Sequence, residues 1–258
     1  MTRFCNLYSG SSGNSTYIEH NDTRILIDAG VSCQRIIKAL AELNITLDMI
    51  NGILITHEHS DHTKGLTTIC KKFDIQIYAT NKTWNQMGVL KLPEYNHTVF
   101  NANEKFSIGD LEIYPFSIPH DAVDPCGFNV FAGNKKITVA TDIGHVTENI
   151  YNCLAGSDVL LLESNYDPNT LTYGNYPYFL KKRIASDVGH LSNEMASKVI
   201  KKLYEETGTN NIILGHLSKE NNFPELAYQT VVNEFGCMPE KLNLSVANRD
   251  SIDDVLVV

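Results

Sequence analysis

The chain has 258 residues, of which 43% are hydrophobic and 20% charged, and its formal net charge is −9 at pH 7. No apolar run approaches the ~20 residues that cross a bilayer, and the first residues lack the apolar stretch of a secretory signal, which argues against membrane and secreted proteins. The six cysteines are scattered without a C-x-x-C pair, so we expect reduced thiols in a cytoplasmic protein, and the acidic balance argues mildly against non-specific binding to nucleic acid.

Strands and helices alternate in the predicted elements of the first third. Two strands, at 17–18 and 24–27, precede a helix with Ser32 as the expected N-cap, in which Ile36, Ile37, Leu40 and Leu43 recur at helical spacing. The middle, roughly 98–140, is predicted to be β-rich, with turn residues between short apolar runs. The last third is mixed again, with a helix marked by Leu191, Met195, Val199 and Leu203, a strand at 211–214, and a helix from Pro224 to about Phe235.

A polar residue follows five of the apolar runs, at the point where each predicted strand ends. These residues are Asp28, His57, Asp142, Glu163 and His216. Ligand sites in layered α/β proteins form at the carboxyl ends of strands. We therefore expect these side chains to build one site from distant segments of the chain.

The densest group of reactive side chains is Thr56-His57-Glu58-His59-Ser60-Asp61-His62. It offers three imidazoles and an aspartate directly after an apolar strand, and these ligand types suit zinc, manganese or iron. The alternative is a solvated polar loop, which does not account for so many potential ligands in one turn. One cluster cannot complete two metal shells, so His120, Asp142 and His216 are the expected partners, although a lone His after a strand is more often structural.

The order of these motifs resembles the metallo-β-lactamase superfamily: T-H-E-H-S-D-H, then the His of I-P-H, the Asp of A-T-D and the His of L-G-H-L-S. The opening S-G-S-S-G-N-S, the L-I-D-A-G element and G-H-L-S-N are similar to those of the YycJ (WalJ/VicX) family, which is related to tRNA 3′-processing nucleases and ribonuclease J. The resemblance covers nearly the whole chain. It implies a mixed α/β fold, the four-layered αββα sandwich, as a single domain over residues 1–258.

Carried over by position, the resemblance also implies two divalent ions, zinc or manganese. His57, His59 and His120 would bind the first ion, Asp61, His62 and His216 the second, and Asp142 would bridge them. A hydroxide between ions ~3.5–4 Å apart would attack phosphorus while the ions stabilise the developing charge. Asp28 would orient a ligand His by accepting its free imidazole N–H; the alternative is a turn-forming Asp before Gly30.

The resemblance points to His190 as the group that protonates the leaving oxygen. Glu163 would orient His190 and raise its pKa, which is a general-acid arrangement. The alternative for His190 is a residue that merely precedes the Ser192 helix cap. The expected catalytic residues are therefore Asp61, His190 and Glu163.

Two further segments have features of substrate binding. Loop 9–15 is rich in Gly, Ser and Asn, and Ser11, Ser12 and Asn14 are its candidate phosphate-binding residues, although flexible turns have the same composition. Several Tyr and Phe residues precede Lys181-Lys182-Arg183, a combination that can stack against bases and neutralise phosphates. For this aromatic-basic segment, a packed surface segment with solvated charges is the favoured alternative.

The leading functional prediction is a metal-dependent phosphodiesterase on nucleic acid, a 5′-to-3′ exonuclease acting on DNA with a 5′ phosphate, as the resemblance implies. The first alternative is a small-molecule hydrolase of the same fold, of the thioesterase or lactonase type. The pairing of His190 with Glu163 favours phosphodiester cleavage. A non-catalytic regulatory module is the second alternative, and the complete ligand set argues against it. We expect no membrane partner.

Overall fold

The protein is described by a computed structural model that covers the backbone of residues 1–258 and every side chain except that of Val89. The chain divides into two compact units. The first comprises Met1–Ser117, Ala122–Lys135 and Asn248–Val258, and the second comprises Ile118–Asp121 and Lys136–Ala247. The single-domain organisation expected from the sequence stays a prediction.

A mixed sheet dominates the first unit. Its strands are β1 (Thr2–Tyr8), β2 (Ser15–His20), β3 (Thr23–Ile27), β4 (Gly52–Leu54), β5 (Ile77–Thr80), β6 (His97–Phe100) and β14 (Leu256–Val257). They lie in the order β14-β1-β2-β3-β4-β5-β6. Pairing is antiparallel from β14 to β3 and parallel from β3 to β6. Since β3 and β4 are parallel neighbours, their carboxyl ends lie at the same edge of the sheet.

The first unit also contains an antiparallel ladder in the region that the sequence predicts to be β-rich. It is formed by β7 (Phe106–Ile108), β8 (Leu111–Ser117) and β9 (Cys126–Ala132). The turn between β7 and β8 contains Gly109, whose φ of 51° is readily adopted by glycine. A turn between two short apolar runs of this region is therefore present, as predicted.

Short helices connect the strands of the first unit. They are α1 (Cys33–Glu42), α2 (Ser60–Thr63), α3 (Leu66–Lys72) and α4 (Asn81–Gln86), with single 3₁₀ turns at Leu47–Met49, Met87–Leu90 and Glu94–Asn96. Ser32 caps α1 by accepting a hydrogen bond from the Arg35 N–H, as predicted. The buried face of α1 carries Ile36 and Leu40, whereas Ile37 is exposed.

Parallel strands form the sheet of the second unit. They are β10 (Lys135–Ala140), β11 (Val159–Glu163), β12 (Asn211–Gly215) and β13 (Asn243–Val246), paired in that order. The helices are α5 (Glu148–Leu154), α6 (Pro168–Tyr173), α7 (Tyr178–Ile184), α8 (Asn193–Thr207) and α9 (Pro224–Phe235). Within the described part of the chain, no helix combines the length and apolar character needed to cross a membrane.

Helix α8 is present where the sequence predicts it. Ser192 caps the helix by accepting a hydrogen bond from the Met195 N–H. Met195 is 46% exposed and Val199 is only partly buried, while Ala196 and Ile200 are fully buried. The residues that mark the helix in the sequence are therefore not all on its buried face, which also includes small and polar residues such as Ser197.

The predicted pattern of polar residues at strand ends is confirmed in each unit. In the first unit, Asp28 directly follows β3 and His57 lies three residues after β4. In the second unit, Asp142 lies two residues after β10, Glu163 ends β11, and His216 directly follows β12. Because β10, β11 and β12 are parallel neighbours, the last three side chains share one edge of the sheet.

The turn after β3 leaves no room for a side chain at Gly30, which gives a test of the fold. The Gly30 N–H donates to the Asn14 carbonyl, and the Asn14 N–H donates to the Asp61 carbonyl. A Cβ on Gly30 would lie 1.6 Å from that Asp61 oxygen. Gly30→Ala should therefore lower the free energy of unfolding by about 3 kcal/mol or more, since main chain cannot rotate away as a side chain can. Urea denaturation followed by circular dichroism measures the loss.

Gly88→Ala is the matched control, because a Cβ there meets no atom within 4 Å. Its unfolding free energy should stay close to that of the wild type. Equal stability of Gly30→Ala and Gly88→Ala would contradict the close main-chain packing at the β3 turn.

Candidate metal-binding residues

The first unit gathers the predicted ligands of the T-H-E-H-S-D-H motif around the short helix α2. His57 Nε2 lies 3.0 Å from His59 Nδ1, and the rings of His57 and His62 are 4.1 Å apart between centroids. His62 Nε2 lies 3.5 Å from the Asp61 carboxylate. His57 and His62 are fully buried. Three imidazoles and a carboxylate therefore converge within one turn of chain, whereas Glu58 accepts a hydrogen bond from the Val123 N–H instead.

Asp28 fixes the T-H-E-H-S-D-H motif in place through hydrogen bonds to Thr56 and His62. Its Oδ2 lies 2.7 Å from His62 Nδ1, and its Oδ1 accepts the Thr56 N–H at 2.9 Å. The Thr56 hydroxyl bonds to the same carboxylate and lies 3.0 Å from His57 Nδ1. Burial raises the pKa of the Asp28 carboxyl, and His62 and Thr56 oppose that effect. With its Nδ1–H donated to Asp28, His62 faces Asn14 and Asp61 with Nε2, and Nε2 is the atom that could bind a metal.

Loop 9–14 is fixed against the same motif by Asn14. The Asn14 side-chain oxygen accepts the Gly10 N–H at 2.8 Å, and its amide nitrogen lies 3.2 Å from His62 Nε2. Asn14 is buried, whereas Ser11 and Ser12 are exposed at the tip of the turn. Asn14 therefore positions the loop, and Ser11 and Ser12 are the predicted phosphate-binding residues that solvent reaches.

The second unit is organised around the carboxylate of Glu163, which is fully buried. Its Oε1 lies 2.7 Å from His216 Nδ1 and 2.8 Å from His190 Nδ1. Its Oε2 accepts the backbone N–H groups of Ile143 at 2.7 Å and Leu191 at 3.0 Å. Burial raises the pKa of Glu163, but His190 and His216 outweigh burial and hold that pKa below its usual value. Glu163 is therefore an anion that orients both imidazoles.

In the second unit, His120, His190 and His216 each have Nδ1 in a hydrogen bond, so Nε2 is the atom of each ring that could bind a metal or exchange a proton. His120 Nδ1 donates to the Gly189 carbonyl at 3.1 Å, and burial lowers the pKa of His120. The pKa of His190 is raised, because Glu163 outweighs the lowering effect of burial. Ligand atoms of Asp142, Glu163, His190 and His216 lie within 4.8 Å of one another. The donor set of imidazole nitrogens and carboxylate oxygens in both units fits a borderline divalent cation.

Three of the strand-end residues have positive φ angles, a left-handed backbone conformation that residues other than glycine seldom adopt. The φ angles of Asp28, Asp142 and His216 are 64°, 60° and 54°. The other described non-glycine residues with a positive φ are Asn21, Asn44, Lys91 and Asn103. Most of them are asparagines, which tolerate the left-handed conformation. Strained backbone of this kind persists where surrounding structure enforces it, often at functional sites.

Some functional contacts were not found in the sequence. Thr56, which bridges Asp28, His57 and His62, was noted only as the first letter of the motif. Glu163 was assigned to His190 alone, although it orients His216 as well. The signal for the second contact was present, since Glu163 and His216 end adjacent predicted strands.

The sequence is similar to that of a known superfamily and of two exodeoxyribonucleases. Residues 23–216 match the beta-lactamase superfamily domain. The chain is 40% identical over 233 residues to the exodeoxyribonuclease WalJ of Streptococcus pneumoniae serotype 2 (strain D39), covering 88% of this chain and 86% of the relative. It is 36% identical over 230 residues to the exodeoxyribonuclease YycJ of Bacillus anthracis, covering 88% and 87%.

Solved structures share the fold at low sequence identity. Zn²⁺-bound PqqB from Methylobacterium extorquens superposes with a TM-score of 0.75 and 16% identity over 98% of this chain and 99% of that one. The short form of human tRNase Z superposes with a TM-score of 0.65 and 17% identity over 99% of this chain and 100% of that one. The predicted α/β fold, with two sheets flanked by helices, is confirmed.

Replacing Glu163 by Gln tests its role as an acceptor on both oxygens. If the NH₂ group faces Ile143 and Leu191, their backbone N–H groups have no acceptor, and if it faces His190 and His216, both rings must either lose an acceptor or change tautomer. Leaving buried polar groups unsatisfied costs about 1–3 kcal/mol each. Glu163→Gln should therefore lose at least that much unfolding free energy in urea, measured on metal-free protein.

Glu205→Gln is the control, since Glu205 is an exposed carboxylate on α8. Its unfolding free energy should match that of the wild type within about 0.5 kcal/mol. If Glu163→Gln were equally stable, the buried carboxylate would not organise the second unit.

Proposed function

The chain belongs to the beta-lactamase superfamily, within the family of the exodeoxyribonucleases WalJ and YycJ, and from this we propose that it is a metal-dependent exonuclease acting on DNA. The observation that carries the proposal is the buried Glu163, which pairs with His190 as well as with the candidate ligand His216. Metal-dependent hydrolysis in general needs only the contact between Glu163 and the candidate ligand His216. A positioned His190 adds a proton donor, which cleavage of a phosphodiester with a poor alkoxide leaving group requires. The identity over most of the chain supports the same reaction.

The proposed cofactors are two divalent ions, zinc or manganese, as the family resemblance implies. We assign His57, His59 and His120 to one ion, Asp61, His62 and His216 to the other, and Asp142 to both. Bound divalent ions activate water as a nucleophile and stabilise the negative charge that develops on phosphoryl oxygens. The geometry within each unit supports the assignment, because Asp28, Glu163 and Gly189 fix the Nδ1 atoms of His62, His216 and His120.

His190 is proposed to protonate the leaving oxygen from Nε2. Its Nδ1 is held by Glu163 at 2.8 Å, so the ring cannot rotate without breaking a hydrogen bond to a buried anion. The His190 side chain is 19% exposed, whereas Glu163 is fully buried. Water and substrate therefore reach the imidazole but not the carboxylate that orients it.

End recognition is proposed for the tip of loop 9–14. A terminal 5′ phosphate is nearly dianionic, and a few N–H and hydroxyl groups can bind it tightly. Ser11 and Ser12 are exposed at this tip, and Asn14 holds the turn in place through Gly10. A bound 5′ end would set which phosphodiester is cleaved first, which gives 5′-to-3′ polarity.

The free cysteines agree with the proposed cytoplasmic location.

A panel of end-labelled substrates tests the proposed function. DNA and RNA strands with 5′ phosphate or 5′ hydroxyl, and closed circles, are incubated with the protein and manganese, zinc or magnesium. We expect 5′-phosphorylated DNA to be degraded about tenfold or more faster than the hydroxyl form, since a hydrogen bond to a charged group contributes about 1.5–3 kcal/mol. Circles should resist.

Two variants make the panel specific. Ser11→Ala and Ser12→Ala should shrink the phosphate preference more than they lower the rate on hydroxyl ends. Asp142→Ala should lose metal and all cleavage. Release of thioester or lactone products without any DNA cleavage would instead favour a small-molecule hydrolase, and no hydrolysis by the metal-loaded wild type would favour the regulatory module.

Replacing His190 by Ala tests the proton donor. The variant should keep its metal content by elemental analysis, while kcat on DNA falls by about 10²–10⁴-fold. A nitrophenyl phosphodiester has a leaving group that needs no proton, so its kcat should fall much less. An equal fall on both substrates would show that His190 has a structural role.

A further inference from the structure

Buried polar side chains follow Glu163, His190 and His216 in the second unit. Within six positions of each of these residues the chain buries asparagines or serines, although such side chains are mostly exposed in proteins. Burying an amide is costly unless it is hydrogen-bonded, so every amide here needs partners that the fold supplies. The buried residues include Ser164, Asn165, Asn193, Ser218 and Asn222, and each is at most 7% exposed.

Asn165 bonds to both of the loops that carry the imidazoles. Its backbone N–H donates to the carbonyl of Leu191, the residue after His190, at 2.8 Å, and its own carbonyl accepts the Ser218 N–H at 2.8 Å. Its side-chain Nδ2 donates to the His216 carbonyl at 2.7 Å. Asn165 therefore connects the segment after His190 with the segment that begins at His216.

The hydrogen bond from the Asn165 side chain restrains a strained residue. His216 has a φ of 54°, in the left-handed region that is unfavourable for any residue with a Cβ. Such a conformation persists only where surrounding contacts enforce it. A donor held on the His216 carbonyl restrains this backbone, and with it the direction of the bond that carries the imidazole. The position of His216 Nδ1, 2.7 Å from Glu163, therefore depends on Asn165.

Asn193 and Asn222 form a reciprocal amide pair that fixes the main chain at Asn165. Asn193 Nδ2 lies 3.0 Å from Asn222 Oδ1, and Asn222 Nδ2 lies 2.8 Å from Asn193 Oδ1. Asn222 Nδ2 also lies 2.8 Å from the Ser164 carbonyl oxygen and 3.1 Å from that of Asn165. Since Asn193 begins α8 and Asn222 lies just before α9, the pair ties the starts of two helices to the end of β11.

We propose that Asn165 is a positioning residue that sets the distance between the candidate ligand His216 and the proposed proton donor His190. One oxygen, Glu163 Oε1, lies 2.7 Å from Nδ1 of His216 and 2.8 Å from that of His190, so both loops must be held together for both bonds to form. Asn165 is 2% exposed and does not reach a substrate, so it acts through His216. The roles of the two histidines rest on the proposed function, whereas the positioning is a property of the metal-free protein.

The first test follows the imidazole Nδ1 protons of the metal-free protein by NMR. A proton donated to a buried carboxylate exchanges with water only when the structure opens locally. In Asn165→Ala, the His216 Nδ1 proton should exchange about tenfold or more faster, because a hydrogen bond that restrains this residue is lost. The Nδ1 proton of His62, which bonds to Asp28 in the first unit, is the internal reference and should keep its wild-type rate.

Asn96→Ala is the matched control. Asn96 is a fully buried asparagine of the first unit, and its Nδ2 donates to the Ile75 carbonyl at 2.9 Å. This variant loses a hydrogen bond of the same kind, but exchange at His216 should stay at the wild-type rate. An equal acceleration in Asn96→Ala would show a general loss of stability and would overturn the proposal.

A second variant, Asn222→Ala, keeps the proposal open to test if Asn165→Ala does not fold. Asn222 is 7% exposed, so water can replace part of its amide. Because its Nδ2 lies within hydrogen-bonding distance of the Ser164 and Asn165 carbonyls, its loss should also speed exchange at His216, by a smaller factor. Wild-type exchange at His216 in the folded variants would overturn the positioning role.

The third test measures cobalt binding and DNA cleavage. Cobalt absorbs visible light according to its ligands, and Asn165→Ala should weaken the binding of the ion held by His216 about tenfold, since groups that orient a ligand contribute about 10–100-fold to affinity. At saturating metal, kcat on DNA should fall while KM stays, because Asn165 is buried. Asn96→Ala should change neither.

The outcomes separate this proposal from the proposed function. Faster exchange at His216 with unchanged cobalt affinity would support the positioning role and overturn the assignment of His216 as a ligand. Absence of nuclease activity in the metal-loaded wild type would overturn the exonuclease, and the exchange rates would still decide on Asn165.

Discussion

The second unit depends on one buried negative charge, the carboxylate of Glu163. It accepts hydrogen bonds from four N–H groups. An unpaired carboxylate at this depth would be too costly to keep ionised. Since its donors come from the loops after β10 and β12 and from the loop before α8, satisfying this charge draws three segments together. The same contacts fix the tautomers of His190 and His216, so the constraint that stabilises the fold also prepares the imidazoles for chemistry.

Asp28 performs a comparable task within the first unit. Like Glu163, it stands at the end of a buried strand, accepts a backbone N–H, and bonds to the Nδ1 of a candidate ligand. In each case Nε2 is the imidazole atom that could bind a cation. Asp28 adds the Thr56 hydroxyl, which also lies near His57. In both units, a carboxylate at a strand end bonds to the Nδ1 of a histidine. For Asp28, these hydrogen bonds offset the strain of its left-handed backbone conformation.

The candidate ligand residues can be proposed from the sequence because their chemistry and position are local. The end of an apolar run indicates where a strand ends, and the residue type indicates whether a side chain can bind a metal. What the sequence could not show were contacts set by packing between distant segments, such as Glu163 with His216. Helical periodicity predicted α8 but not which of its residues are buried, because the packed face includes Ser197 while Met195 is exposed. The exposure of Tyr178 and Phe179 could not be predicted either. Aromatic residues are usually buried, and only the three-dimensional packing shows which ones remain in solvent.

A net charge of −9 bears on how the chain would bind the DNA proposed as its substrate. At physiological ionic strength, charges more than about 8 Å apart are largely screened, so a DNA strand responds to the groups it touches and not to the total. Several acidic groups are already neutralised locally, as Glu19 is by Arg3 and Arg24. Carboxylates among the candidate ligands are where the proposed cations would bind. Lys181, Lys182 and Arg183 lie together in α7, and Arg183 pairs with Asp121, so Lys181 and Lys182 supply the local positive charge that would attract a phosphate at short range. Net charge therefore limits non-specific association from a distance, while local charge allows the contact that the site requires.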